Sequence, residues 1–211
     1  MSEARLEAIL RATPRLMEVL RTARALELPD WMVFSGAVYQ PVLNHLTGRP
    51  ADHGLKDYDL GYHDATDLSY EAEDAVIRRA GRAFASDLSP LVEVRNQARV
   101  HLWFAQKFGE ADYGPLSCSA DALLRFTSAT FAVGVRLEAN DALTVLAPFG
   151  LEDLFALRLR PNPLRKTQGF ARTAASVQAR WPEVVVERDP PPQGEVARSA
   201  GGGFHSDVDE G

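Results

Sequence analysis

Lys56-Asp57-Tyr58-Asp59-Leu60 places two acids two residues apart, with an aromatic and an aliphatic residue alternating between them. On a strand, residues two apart point to the same face. Asp57 to His63 therefore reads as a strand that projects Asp57 and Asp59 together. Two carboxylates a few ångströms apart repel, and each raises the other's pKa unless something neutralises them. A divalent cation does so directly. Mg²⁺ favours a few carboxylates, waters and substrate phosphate oxygens. The competing reading is a solvated edge strand with two exposed acids, since Asp-X-Asp is short and common by chance.

Some twenty residues earlier, Trp31-Met32-Val33-Phe34 is a wholly apolar run, the mark of a buried strand. It ends at Ser35-Gly36, which opens a helix. Small residues there let backbone N–H groups and the Ser35 hydroxyl approach a phosphate, with the helix N-terminus favouring its charge. An ordinary strand-to-helix turn has the same sequence. Downstream, Leu91-Val92-Glu93-Val94-Arg95 sets one acid inside an apolar strand. A lone buried carboxylate is costly, but tolerable beside a metal held by Asp57 and Asp59. The alternative is a Glu93 on the solvent face, paired with Arg95 or Arg99. Lys56 abuts the acids, where it can neutralise them or touch a phosphate. Arg95 and Arg99 can clamp phosphates.

The remaining pattern supplies the scaffold. Ser2 to Arg11 and Pro14 to about Leu26 are amphipathic helices, the second opened by Thr13-Pro14. Val38 to Leu46 is a helix with Pro41 in its first turn. Tyr70 to Phe84 is a helix with Val76, Ile77, Ala80 and Phe84 inward. Ala98 to Phe108 fits strand or helix. Asp121 to Phe126 is a short helix. Thr130 to Leu137 and Leu143 to Ala147 form a hairpin around a polar turn. Glu152 to Arg160 and Lys166 to Trp181 are helical. From Asp189 onward, proline, glycine and scattered acids give a tail expected to be disordered. The order predicts an α/β or α+β domain with a small central sheet. Its expected divisions are N-terminal helices over 1–27, a main domain over 28–186 and a tail over 187–211.

The 211 residues are 45% apolar and 25% charged, enough for one core. A net charge of −6 argues against a long nucleic acid as partner, which would call for excess Lys and Arg. The single cysteine, Cys118, allows no intrachain disulfide and fits a reducing, cytoplasmic compartment. No run approaches the ~18 apolar residues of a membrane span, so no membrane partner is expected.

A small-residue turn, a paired-acid strand and a third acid on a following strand together resemble the nucleotidyltransferase superfamily, the polymerase-β-like fold. Glu93-Val94-Arg95-Asn96-Gln97-Ala98-Arg99-Val100-His101-Leu102-Trp103 is similar to the most distinctive block of a bacterial family of uncharacterised nucleotidyltransferase-like proteins. Ala132 to Arg136, Ala147 to Phe155, Arg160 to Pro163 and Arg180-Trp181-Pro182 resemble its later blocks. The resemblance covers about Leu28 to Pro182. It implies a small mixed sheet flanked by helices, with a C-terminal β-hairpin and helices. It further implies transfer of a nucleoside monophosphate from an NTP to an unknown acceptor, with Mg²⁺ or Mn²⁺ as cofactor. Asp57, Asp59 and Glu93 would be catalytic and hold the metal. Ser35, Gly36, Lys56, Arg95 and Arg99 would bind the nucleotide.

Two departures stand out. Where the family usually has Arg-Asn after the glycine turn, this chain has Tyr39-Gln40. Where it has Trp-Asp, this chain has Leu43-Asn44. A catalytically silent nucleotide-binding protein on the same fold is therefore the alternative. A metal-dependent glycosyltransferase also uses Asp-X-Asp, but the short chain and Glu93 argue against it.

Overall fold

In the computed structural model, residues 2–109, 113–165 and 169–187 are described. Two helices open the chain, α1 (Ser2–Arg11) and α2 (Pro14–Ala25), the latter with proline at its start. Strand β1 (Met32–Phe34) leads into α3 (Gly36–Leu46). Then come β2 (Tyr58–Tyr62), α4 (Tyr70–Ala83), β3 (Val92–Asn96) and α5 (Val100–Phe108). A 3-10 helix spans Ser119–Arg125. The chain continues through β4 (Gly134–Leu137), β5 (Leu143–Leu146) and α6 (Glu152–Phe155). It closes with β6 (Arg158–Leu159), α7 (Gly169–Arg180) and β7 (Val185–Val186).

The central sheet has the order β3-β2-β1-β4-β5. β2 and β3 are parallel, joined by a crossover through α4; the other neighbours are antiparallel. This is a mixed sheet in an α+β fold. One face carries Val33, Tyr58, Leu60, Tyr62, Val94 and Val135 into the main core, which the helices cover. The other face carries Met32 and Phe34 into a smaller cluster with Leu116, Ala122, Leu123 and Ala132. Period-two alternation along β2 explains the split. Its aromatic and aliphatic residues go to the core, and Asp59 and Gly61 go to the second face.

Three elements differ from the sequence expectation, and a fourth that it left open is resolved. α3 begins at Gly36, so Pro41 lies inside the helix rather than in its first turn. Ser35 breaks the strand at once and gives the helix an earlier start. The first half of the expected strand from Thr130 is irregular, because Ala129 N and Ser128 Oγ bond the carbonyl of Arg160 instead. Glu152 to Arg160 is helical only to Phe155; Arg158–Leu159 is a strand that pairs in parallel with Val185–Val186. That pairing joins segments far apart in sequence, which local periodicity does not register. Ala98 to Phe108 resolves into a 3-10 turn (Gln97–Arg99) running into α5. The expected tail beyond residue 187, and the expected helix start at Lys166, lie outside the described residues. Among the described residues, no helix is long and apolar enough to cross a membrane.

Candidate active site

The site is built on the second face of the sheet. β1 and β2 run antiparallel with Phe34 opposite Asp59, and the parallel β2–β3 register sets Asp59 beside Glu93. Neighbouring strands are about 4.8 Å apart, so these two acids share one edge of one surface. Asp57 stands two residues before Asp59, just ahead of the strand and exposed. The antiparallel direction of β1 brings that end of β2 next to the Ser35–Gly36 turn.

Three charges meet at Asp59. Burial, then the Asp57 and Glu93 carboxylates, push its pKa up from the usual 3.8 to about 7, with Arg95 opposing. Glu93 is not the lone buried acid considered from sequence. Its side chain is 41% exposed, and Arg95 Nη2 donates to its Oε1 at 2.5 Å. It still lines the same cavity as Asp59.

This cavity measures about 270 Å³. Its floor is Phe34, Asp59, Gly61, Glu93 and Arg95, and its roof is Val100, Trp103, Phe104 and Phe108 of α5. Gly61 is required at the floor. A Cβ there would lie 2.2 Å from the Phe34 ring and 2.9 Å from the Gln97 amide nitrogen.

A second cavity of about 480 Å³ adjoins it and shares Phe104, Phe108 and Phe126 as walls. Ser35, Arg125, Arg165 and Arg172 line it, together with Tyr39 and Phe131. Ser35 holds φ 51° and ψ −114°, a sparsely populated conformation for a residue with a side chain. Its N–H is fixed to Val133 O at 2.9 Å, and its carbonyl accepts from Val38 and Tyr39 at 2.9 Å each. Its side chain makes no capping bond. The strained turn thus leaves the hydroxyl and the first N–H groups of α3 available to an anion.

The other expected residues are placed differently from one another. Lys56 is exposed beside Asp57. Arg95 lies in the smaller cavity, tied to Glu93. Arg99 is buried away from both cavities. Its guanidinium pairs with buried Glu73 and donates to Leu68 O at 2.8 Å. Glu73 also accepts from Asn96 N at 2.8 Å, so this pair holds α4 to the end of β3.

The departures have structural explanations. Tyr39 stacks on Phe131, ring centroids 3.6 Å apart and 6° from parallel. Its hydroxyl is pushed up in pKa, chiefly by burial. Gln40 is buried with its Oε1 unpartnered. Asn44 is fully buried. Its Oδ1 accepts from Trp181 Nε1 at 2.8 Å, and its amide donates to Ala51 O and His53 O at 3.0 Å each. It thereby fixes the loop that delivers Lys56 and Asp57. Arg125, Arg165 and Arg172 were not singled out from sequence. Scattered arginines in a weakly patterned region give no local signal, and only the fold gathers them.

Among the described residues, no three His, Cys, Asp or Glu side chains gather closely enough to hold a metal ion by themselves. Mg²⁺ does not need such a cage, since it binds through one or two carboxylates plus waters and substrate phosphates. The Asp57–Asp59 pair offers hard oxygens, and the raised pKa of Asp59 marks a charge that a cation would stabilise. The donor set fits Mg²⁺ or Mn²⁺ in an open site completed by substrate.

Comparison with known proteins agrees with the fold. A family model described as nucleotidyltransferase matches residues 21–186. One solved structure, described as an NMR structure revealing a CCA-adding enzyme head domain, is similar at a TM-score of 0.68. It is 22% identical, and the alignment covers 86% of this chain and 95% of that chain. At that identity the likeness concerns the fold. No curated protein matches.

Proposed function

Since the chain belongs to the nucleotidyltransferase family whose model spans residues 21–186, we propose that it moves a nucleoside monophosphate from an NTP to an acceptor hydroxyl in a magnesium-dependent reaction. One observation carries the reading: Asp59 is crowded by Asp57 and Glu93 at a cavity wall, beside a strained Ser35–Gly36 turn. An anion-binding turn next to uncompensated carboxylates is an arrangement suited to phosphoryl transfer.

The triphosphate would lie in the larger cavity. The Ser35 hydroxyl would face it, with the Gly36 N–H beside it at the start of α3 and with Arg125 and Arg172 supplying positive charge. Lys56, exposed beside Asp57, would reach toward the phosphates, and Arg95 would stay with Glu93 at the edge of the smaller cavity, next to the cation. Asp57 and Asp59 would hold the cation, which when bound supplies charge neutralisation to the attacking and leaving oxygens. Glu93, on the wall of the smaller cavity, would take the proton of an acceptor hydroxyl bound there. The acceptor oxygen forms a bond to the α-phosphorus. The bond from that phosphorus to its bridging oxygen breaks, and pyrophosphate leaves. Most of the rate enhancement would come from positioning and electrostatics.

The test is Mg²⁺-dependent release of pyrophosphate from each NTP with candidate acceptors. Asp57→Asn and Asp59→Asn should each lower turnover at least a hundredfold; unchanged activity in either refutes the assignment. A second reading, nucleotide binding without turnover, is favoured by the Glu93–Arg95 pairing and by Tyr39-Gln40. Calorimetry with Mg²⁺ and an NTP decides between them. Tight binding with no pyrophosphate released across a broad acceptor screen supports the silent protein.

A further inference from the structure

We propose that the 270 Å³ cavity is the acceptor pocket, and that its occupant is a small uncharged alcohol built on a single aromatic ring. The acceptor role rests on the transfer reading above; the binding does not.

The two adjoining cavities divide by charge. The larger is lined by Arg125, Arg165 and Arg172 and by no acid among the described residues. The smaller carries Asp59 and Glu93, and its one arginine, Arg95, is already paired with Glu93. A triphosphate belongs with the arginines. An anionic acceptor in the smaller cavity would face two carboxylates. A cationic one would face Arg95 and a bound divalent ion. An uncharged occupant escapes both penalties.

The walls then select its shape. Phe34, Trp103, Phe104, Phe108 and Phe126 surround the cavity. Phe34 and Phe126 meet edge to face, with centroids 6.1 Å apart and planes at 74°. The roof rings are mutually supported, Phe104 lying 4.7 Å from Phe108 and 4.1 Å from Tyr113. Rings held at such distances favour another ring in offset or edge-on contact over a flexible chain. Gln97, at the cavity floor, offers an uncharged amide for a hydroxyl.

Size sets the upper limit. About 270 Å³ falls below the ~300–1,000 Å³ of pockets that take drug-sized ligands. A nucleic-acid strand would need a cationic groove along its backbone as well as stacking rings, and the one arginine of this cavity is paired with Glu93. In the reaction, the alcohol oxygen bonds the α-phosphorus, its proton passes to Glu93, and pyrophosphate departs.

Saturation-transfer NMR on the full chain tests the binding with three probes: 2-phenylethanol, cytidine and a cytidylate trimer. The expected result is saturable binding of 2-phenylethanol, weakened at least fivefold in both Trp103→Leu and Phe108→Ala. Magnesium-ATP affinity should stay within twofold in Trp103→Leu, whose side chain lines the smaller cavity and not the larger. Trp103 is half-buried and Phe108 is 46% exposed, and an unchanged thermal melt verifies that each variant folds. No binding of 2-phenylethanol, or binding indifferent to both variants, overturns the proposal. So does a trimer that binds more tightly than the alcohol through Trp103. If the alcohol binds as expected but none of the four NTPs releases pyrophosphate in its presence, it is the transfer reading that fails.

Discussion

Asp59 makes a prediction that needs no substrate. In the folded chain its carboxyl holds a proton up to about pH 7, whereas the unfolded chain releases it near 3.8. The native state therefore binds more protons between those values, and stability falls as pH rises through that window. Burial is the main cause, followed by the charges of Asp57 and Glu93, with Arg95 opposing. Without metal, Asp59→Asn should melt higher than wild type at pH 8, with the difference shrinking as pH falls below 7 and closing only near pH 4. The full effect is bounded by about 4 kcal/mol. Added Mg²⁺ should raise the wild-type melt at pH 8 and leave the variant nearly unmoved. A difference between the two proteins that does not vary with pH would remove the acid-crowding argument. Arg99 behaves in the opposite way. Arg99→Ala strands the buried Glu73 carboxylate and should cost about 3–5 kcal/mol in chemical denaturation. Nucleotide affinity, measured below the melting range, should hardly change. At this scale, the acid pair was readable because alternation along one strand is local. The burial of Arg99 and the gathering of Arg125 and Arg172 were not, because each depends on partners tens of residues away.

Between residue and molecule, the loop joining α3 to β2 is the element on which the site depends. It is clamped at several points by the end of α7. Asn44 and Trp181 bond at 2.8 Å, Arg180 donates to Gly54 O at 2.9 Å, and Arg49 pairs with Glu183 at 2.8 Å. Local sequence marks this loop only by Gly48-Arg49-Pro50. Trp181→Phe keeps most of the apolar volume but leaves buried Asn44 Oδ1 without a donor. It should cost about 1–3 kcal/mol. It should also loosen the segment carrying Asp57, seen as faster amide exchange over residues 47–57 than over β2. Equal protection of the loop in both proteins would show that the clamp does not control it. The same logic explains the uneven reading of the fold. α1, α2, α4 and β2 follow their periodicities closely because one face of each meets a continuous core. β6 and β7 are two residues each and exist only because they pair with one another. The early end of α6 and the irregular Ser128–Val133 stretch belong to the same long-range bonding.

For the whole molecule, the question is what constitutes the folding unit. The family model begins at residue 21, so α1 and the first half of α2 stand outside it. The sequence suggests the same division, with helices over 1–27 ahead of a domain over 28–186. The core does not respect that line. Leu6, Leu10, Leu16, Val19 and Leu20 are fully buried in the same cluster as Val33, Leu60 and Val135 of the sheet. Each such side chain contributes about 1.5–3 kcal/mol by burial. Five of them approach or exceed the ~5–15 kcal/mol that separates a folded domain from its unfolded chain. We therefore propose a folding unit that runs from α1 to β7, not from residue 28. A chain beginning at residue 28 should be insoluble or lack a cooperative melt. A chain ending at Glu187 should melt within a few degrees of the full length, because the core is closed by Val184 and Trp181. A cooperative transition in the chain that starts at residue 28 would show that α1 and α2 are an appendage, and that the sheet and its remaining helices sustain the site by themselves.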